Sequence, residues 1–208
     1  MQGSVVENTK QPVVTSHAAT AEHHGEHPDY RVLGLLVFLI SESLMFGGLF
    51  AAYLIYRSGT GSWPPEGTEV ELLLPTINTI ILVSSSFVIH KGDNAIKKND
   101  VKGLRLWYVA TAVMGVIFLG GQLYEYLTLG YGLTTNLFSN CFYIMTGFHG
   151  LHVTIGVCLI LGVLWRSRRE GHYGETKHVG VEMAEIYWHF VDIIWIILFA
   201  LLYILTQF

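Results

Sequence analysis

The chain is predicted to be all-α: a polytopic membrane protein whose five transmembrane helices form a bundle. Two observations carry this reading. Apolar and aromatic residues make up 51% of the 208 residues and charged residues only 13%, whereas a water-soluble domain carries about 25% charged residues. The apolar residues are also gathered into five blocks, at about 32–56, 72–89, 106–129, 137–165 and 184–206. Each approaches or exceeds the roughly 20 residues that a helix needs to cross the hydrocarbon core. The net charge of −4, from sixteen acids against twelve bases, lacks the concentrated basic patch that phosphate recognition requires, so no nucleic-acid partner is expected. Cys141 and Cys158 lie inside apolar blocks, seventeen residues apart. They suggest neither a disulfide framework nor a thiolate zinc site and read as small core hydrophobes.

Residues 1–30 form a polar tail with His17, His23, His24 and His27 and no apolar periodicity, expected to be disordered and solvated. Residues 31–208 are the membrane domain. The first apolar block follows this tail without a small-residue cleavage site, so it is expected to remain in the mature protein. Orientation follows from the bases. Eleven of the twelve Lys and Arg residues lie in the tail, in the loop between helices two and three, or in the loop between helices four and five. Only Arg57 lies on the other side, next to a Gly- and Pro-rich loop. The N-terminus is therefore expected in the cytoplasm and the C-terminus outside. No internal repeat is visible, which speaks against an inverted-repeat transporter.

Ionisable groups inside the bilayer are costly and are functional candidates by default. In helix one, Glu42 stands about ten residues in, near mid-membrane at about 1.5 Å per residue. It shares a face with Phe46, Leu49 and Tyr53, while Gly47, Gly48, Ala51 and Ala52 form two small-xxx-small pairs suited to close helix contact. Two roles suit Glu42: a carboxyl hydrogen-bonded across a helix interface, or a proton-handling group. Helix three places Gln122, Glu125 and Tyr126 together, in line with Thr111 and Gly115, so this face should meet protein. Helix four carries Thr146, His149, His152 and Gly156 on one side. Helix five carries Glu185, Trp188, His189, Asp192 and Trp195 on one side, with Trp188 and Trp195 deep enough to pack between helices or against lipid tails.

These imidazoles and carboxylates are compatible with a metal site in spacing. However, no apolar block contains the Glu-x-x-His of carboxylate-type di-metal bundles. The alternative is that Gln122, Glu125, His149, His152, His189 and Asp192 form an interhelical polar network, which supplies helix association where lipid removes the hydrophobic drive. No metal is expected.

Five separate runs resemble subunit III of the haem-copper oxidases, of the cytochrome c oxidase type. They are Ser41-Glu42, Leu74-Pro75-Thr76-Ile77-Asn78-Thr79, Gln122-Leu123-Tyr124-Glu125-Tyr126, Thr146-Gly147-Phe148-His149-Gly150-Leu151-His152-Val153, and Glu182 with Tyr187-Trp188-His189-Phe190-Val191-Asp192 and Trp195. The resemblance covers residues 31 to 208. It implies a non-redox accessory subunit of the aerobic respiratory chain, in a bacterial cytoplasmic or equivalent energy-transducing membrane. Such a subunit packs on the catalytic haem-copper subunit I among the other oxidase subunits, holds phospholipid, and supports proton uptake and durable turnover. Haem and copper are then expected in partner subunits and not in this chain. The resemblance gives Glu42 the role of a functionally relevant buried carboxylate and Glu125, His149, His152, His189 and Asp192 an interhelical supporting role. His90, Arg105 and Arg166 are possible lipid-headgroup contacts. Relative to seven-helix members the first two helices are missing, so the lipid cleft must be open or completed by a partner. A quinol-oxidase subunit III is the alternative within the family, but Glu42, Phe148 and Gln122 favour the cytochrome c type. Outside the family, a membrane metalloenzyme using His149, His152 and His189 and a proton-coupled transporter using Glu42 and Glu125 are the competing readings.

Overall fold

The computed structural model describes residues 30–68, 70–169, 171–174 and 178–207; the His-rich tail lies outside the described residues. Five α-helices follow in order: α1 (Tyr30–Gly59), α2 (Leu73–Lys97), α3 (Val101–Thr128), α4 (Leu137–Ser167) and α5 (Val179–Phe199). All five are long and apolar enough to cross a membrane, and the architecture is an all-α polytopic bundle. A π-helical turn (Ala200–Ile204) and a short 3₁₀ turn (Leu205–Gln207) extend α5.

The second helix runs eight residues beyond the apolar block that predicts it, ending at Lys97 rather than Ile89. Apolarity ends where the membrane does, but helical geometry continues for as long as one face is covered. Gly92 and Ile96 are buried, and the Tyr108 ring lies 2.6 Å from where a Cβ on Gly92 would stand. Asp93 also pairs with Lys97 at 2.5 Å, one turn on. The helix then stops on Asn99, whose φ of 60° is the left-handed C-cap conformation that Asn tolerates. The Asp100 amide donates to Ala95 O and the Asn99 amide to Ile96 O, which is the Schellman pattern. Asp100 at once caps α3 by accepting from the Gly103 amide at 2.9 Å. Three residues thus turn the chain, and α2 and α3 pack along their lengths.

Helices α2, α3, α4 and α5 close into a ring, each packing on the next and α5 returning to α2; α1 lies outside, against α4 and α5. The ring interior is aromatic. Trp188 is fully buried in a slot between Gly115 and Gly156, where an added Cβ would stand 2.7 and 2.8 Å from its ring. Trp195 packs edge-on to Phe118 at 4.7 Å. Both indoles find hydroxyl partners on α2: Trp188 Nε1 donates to Ser85 at 2.8 Å and Trp195 Nε1 to Thr79 at 2.9 Å. The small residues of α1 pack differently from the expectation. Gly47 and Gly48 are exposed, with nothing in this chain within 4 Å of a Cβ placed on either. It is Phe46 and Tyr53 that face the ring. Cys158 likewise lies on the outer surface, and Cys141 is half-buried.

Each end of the bundle is tied. At the end carrying the basic loops, Arg105 reaches the C-terminus of α4, donating from Nε to Ser167 Oγ at 3.2 Å and from Nη2 to the Ser167 carbonyl. Lys91 lies over the Trp107 ring. At the opposite end, Asn136 and Ser139 form a capping box for α4. The Asn136 side-chain amide also donates to Thr68 in the α1–α2 loop at 2.9 Å.

Candidate functional site

Gln122 and the ionisable residues singled out within the apolar blocks, Glu42, Glu125, His149, His152, Glu185, His189 and Asp192, fall into three separate clusters, with one residue in none of them. The first joins α1 to α4. Phe46 and Phe148 flank the His152 ring at 5.1 and 5.9 Å. His152 Nδ1 lies 2.7 Å from the Phe148 carbonyl one turn earlier, and its Nε2 lies 3.1 Å from Glu42 Oε2. A carbonyl only accepts, so Nδ1 carries a hydrogen, and the contact between Nε2 and Glu42 then needs one further proton. That proton sits on the carboxyl or on the imidazole. The pair is a single-proton site, 20% exposed at Glu42 and 7% at His152. Tyr187 donates to the His152 carbonyl at 3.3 Å, so the imidazole's backbone is held from α5 as well.

The second cluster joins α3 to the C-terminal turn of α5. Gln122 Nε2 donates to Glu125 Oε2 at 3.0 Å, and the Tyr203 hydroxyl lies 3.0 Å from both carboxylate oxygens. Tyr203 sits in the π-helical turn, and Tyr53 of α1 donates to the Leu201 carbonyl in the same turn at 2.9 Å.

The third joins α2 to α5 in the half of the membrane nearer the basic loops. Ser86 Oγ donates to Asp192 Oδ2 and lies 2.9 Å from His189 Nδ1. A serine has one hydrogen to give, so it accepts from His189. His189 Nε2 is 3.5 Å from Glu185 Oε1, and the same oxygen receives His90 Nδ1 at 2.8 Å. The chain of contacts runs from His90, whose side chain is 58% exposed, to Asp192 in the interior.

His149 joins none of these. It is fully buried, neither ring nitrogen has a hydrogen-bond partner, and its ring lies 4.9 Å from that of Trp195 with Phe118 edge-on at 5.8 Å. It packs as an aromatic plate. His149, His152 and His189 are therefore engaged with three different sets of partners and do not converge as metal ligands.

Of the three cationic candidates, His90 is paired with Glu185 and Arg105 with Ser167. Arg166 lines a cavity of about 560 Å³ with Arg31, His172 and Tyr173. It also lines an apolar groove of about 480 Å³ that includes Leu35, Leu159 and Trp165. Burial pushes the Tyr173 phenol above its ordinary range, with Arg166 acting in the opposite sense. Ser86, Tyr203 and Asp93 escape sequence reasoning. Serine and tyrosine are unremarkable in apolar helices, and Asp93 falls beyond the second apolar block. The periodicity of Ser86, His90 and Asp93 at three- and four-residue spacing was the available signal.

A ring of four membrane-length helices with a fifth on its flank, carrying carboxylates paired to His and Tyr across helix interfaces and to Gln within one helix, defines a polytopic membrane protein with buried ionisable pairs. The model of the family described as cytochrome c oxidase subunit III matches residues 11–207. A Thermostichus vulcanus protein named cytochrome c oxidase subunit 3 is 75% identical over 191 residues, covering 92% of this chain and 95% of its own length. A Synechocystis protein of the same name is 65% identical over 88% of this chain and 78% of its own length. A Nocardia farcinica protein named a probable cytochrome c oxidase subunit 3 is 41% identical over 87% and 91%. The chain belongs to the cytochrome c oxidase subunit III family.

Proposed function

We propose that this chain is the non-redox third subunit of a multi-subunit cytochrome c oxidase, packed on the haem-copper subunit I, and that its Glu42–His152 pair supports proton uptake and durable turnover. The observation that carries this is the single-proton contact of 3.1 Å between the two. A carboxyl and an imidazole sharing one proton exchange it without either group being left as an isolated charge in hydrocarbon. The reading has no chemistry of oxygen reduction in this chain; haem and copper are assigned to partner subunits. The N-terminus is placed in the cytoplasm on the distribution of the basic residues. Phospholipid is placed with its phosphate at Arg166 and its tails in the adjoining groove, a combination of basic mouth and apolar wall that supports lipid binding. Among the three, Arg166 is favoured because it lines both the basic cavity and the apolar groove.

The test is Glu42→Gln in the intact complex. Haem and copper content are expected to match wild type, while the number of turnovers before inactivation falls or the pH dependence of proton uptake shifts. Loss of haem or copper would place Glu42 in assembly of the catalytic centre. Unchanged uptake and unchanged turnover lifetime would remove the proton role. For lipid, Arg166→Ala should lower the phospholipid retained per complex after detergent washing.

A further inference from the structure

We infer that the ends of α2 and α5 beside the basic loops form a binding site for a borderline divalent cation of the zinc class, with His90, Asp93 and Glu185 as ligands. This departs from the expectation that the chain holds no metal, and it does not depend on the oxidase reading. Each of these three residues offers a ligand atom, and the three atoms lie within 4.8 Å of one another. Their convergence is set by two helices. His90 and Asp93 are one turn apart on α2, and Glu185 faces them from α5.

An acidic cluster on a surface would carry little weight, but here both carboxylates are buried and the third ligand is an imidazole. Asp93 is 1% exposed and Glu185 8%. Lys97 engages Asp93 Oδ2 at 2.5 Å, while Asp93 Oδ1 is buried and has no hydrogen-bond partner. A buried carboxylate oxygen with no donor is an unmet demand for positive charge. Lys97 keeps one oxygen and leaves the other available.

The donor set selects the ion. One imidazole nitrogen with two carboxylate oxygens suits zinc and its neighbours, whereas calcium and magnesium take oxygen ligands alone. Zinc bonds of about 2.0–2.2 Å place ligand atoms about 3.4 Å apart in a tetrahedron. The His90–Glu185 contact of 2.8 Å would open slightly, and any pair at the 4.8 Å limit would close by up to about 1.4 Å. The largely exposed His90 side chain has the freedom to adjust to the two buried carboxylates. At His90 Nδ1 the cation takes the place of the proton now shared with Glu185. His189 Nε2, 3.5 Å from the same Glu185 oxygen, stands next to the ligand shell and orients that carboxylate.

The experiment is equilibrium dialysis of the intact, detergent-purified complex against radioactive zinc, comparing wild type with His90→Gln and Asp93→Asn, with haem content as the measure of assembly. His90 is exposed enough that its replacement leaves the bundle intact, and Asp93→Asn keeps the side-chain shape. One zinc equivalent per complex is expected to disappear in both variants, and the zinc-edge X-ray absorption of that equivalent in wild type should show nitrogen and oxygen ligands only. Retention of all wild-type zinc equivalents by either variant would overturn the site. So would sulfur in the first shell of the lost equivalent.

Discussion

His149 and His152 stand three residues apart on one helix and do opposite things. His152 has a polar partner at each ring nitrogen; His149 has none and lies between Trp195 and Phe118. A buried imidazole without a partner keeps the desolvation penalty of its nitrogens and returns only its ring contacts. His149→Phe is therefore expected to leave the thermal stability of the assembled subunit unchanged or to raise it by about 1 kcal/mol. A loss of more than that, read from the temperature at which the subunit leaves the complex, would show that a polar partner is in place. The Trp188 slot predicts the reverse. With Gly115 and Gly156 both against its ring, Gly156→Val forces overpacking that costs about 1–3 kcal/mol or more, seen as a drop in the amount of this subunit recovered with the complex. The sequence located Glu42, Glu125, His152 and Asp192 as candidates because a carboxylate or imidazole in an apolar block is conspicuous. It did not pair them. Glu42 and His152 are 110 residues apart, and which groups meet depends on helix rotation, which periodicity does not fix when helices are apolar on every side.

Helix α2 shows where reading from hydropathy stops. The expected end at Ile89 is the end of the membrane-soluble stretch, and the observed end at Lys97 is set by the Schellman turn on Asn99. The eight residues between hold His90 and Asp93, so the proposed cation site was hidden by a boundary error rather than by any weakness in its chemistry. Asn99→Val should destabilise the α2–α3 turn by about 1–2 kcal/mol, because a β-branched side chain resists the left-handed conformation. Asn99→Gly should be tolerated. Protease sensitivity of this loop in membrane vesicles separates the two. The capping box of α4 offers a parallel test at the other end of the bundle: Asn136→Ala removes the cap and the tie to Thr68, at about 1 kcal/mol for the cap alone.

At the scale of the whole molecule, five membrane-length helices were legible because the bilayer imposes their length. The closed ring of α2 to α5 with α1 on its flank was not, since the apolarity of α1 lies within the range of the other helices and nothing in its composition marks it as peripheral. Its Gly47 and Gly48, which suggested a tight interface, face away from the other helices. Topology gives a further prediction. In a cysteine-free background, Gly61→Cys should react with a membrane-impermeant maleimide on intact cells, and Lys98→Cys only after permeabilisation; the opposite pattern would invert the orientation. The Glu42–His152 pair also bears on how the subunit responds to an energised membrane. Whichever partner holds the proton, the pair has zero net charge, and only its dipole changes when the proton crosses between them. Its span of 3.1 Å is about a tenth of a hydrocarbon core of roughly 30 Å. Since a full crossing is worth about 2.3 kcal/mol per 100 mV, the transmembrane field biases the proton's position by at most about 0.2 kcal/mol per 100 mV, and which partner holds it is set by local hydrogen bonding rather than by membrane voltage.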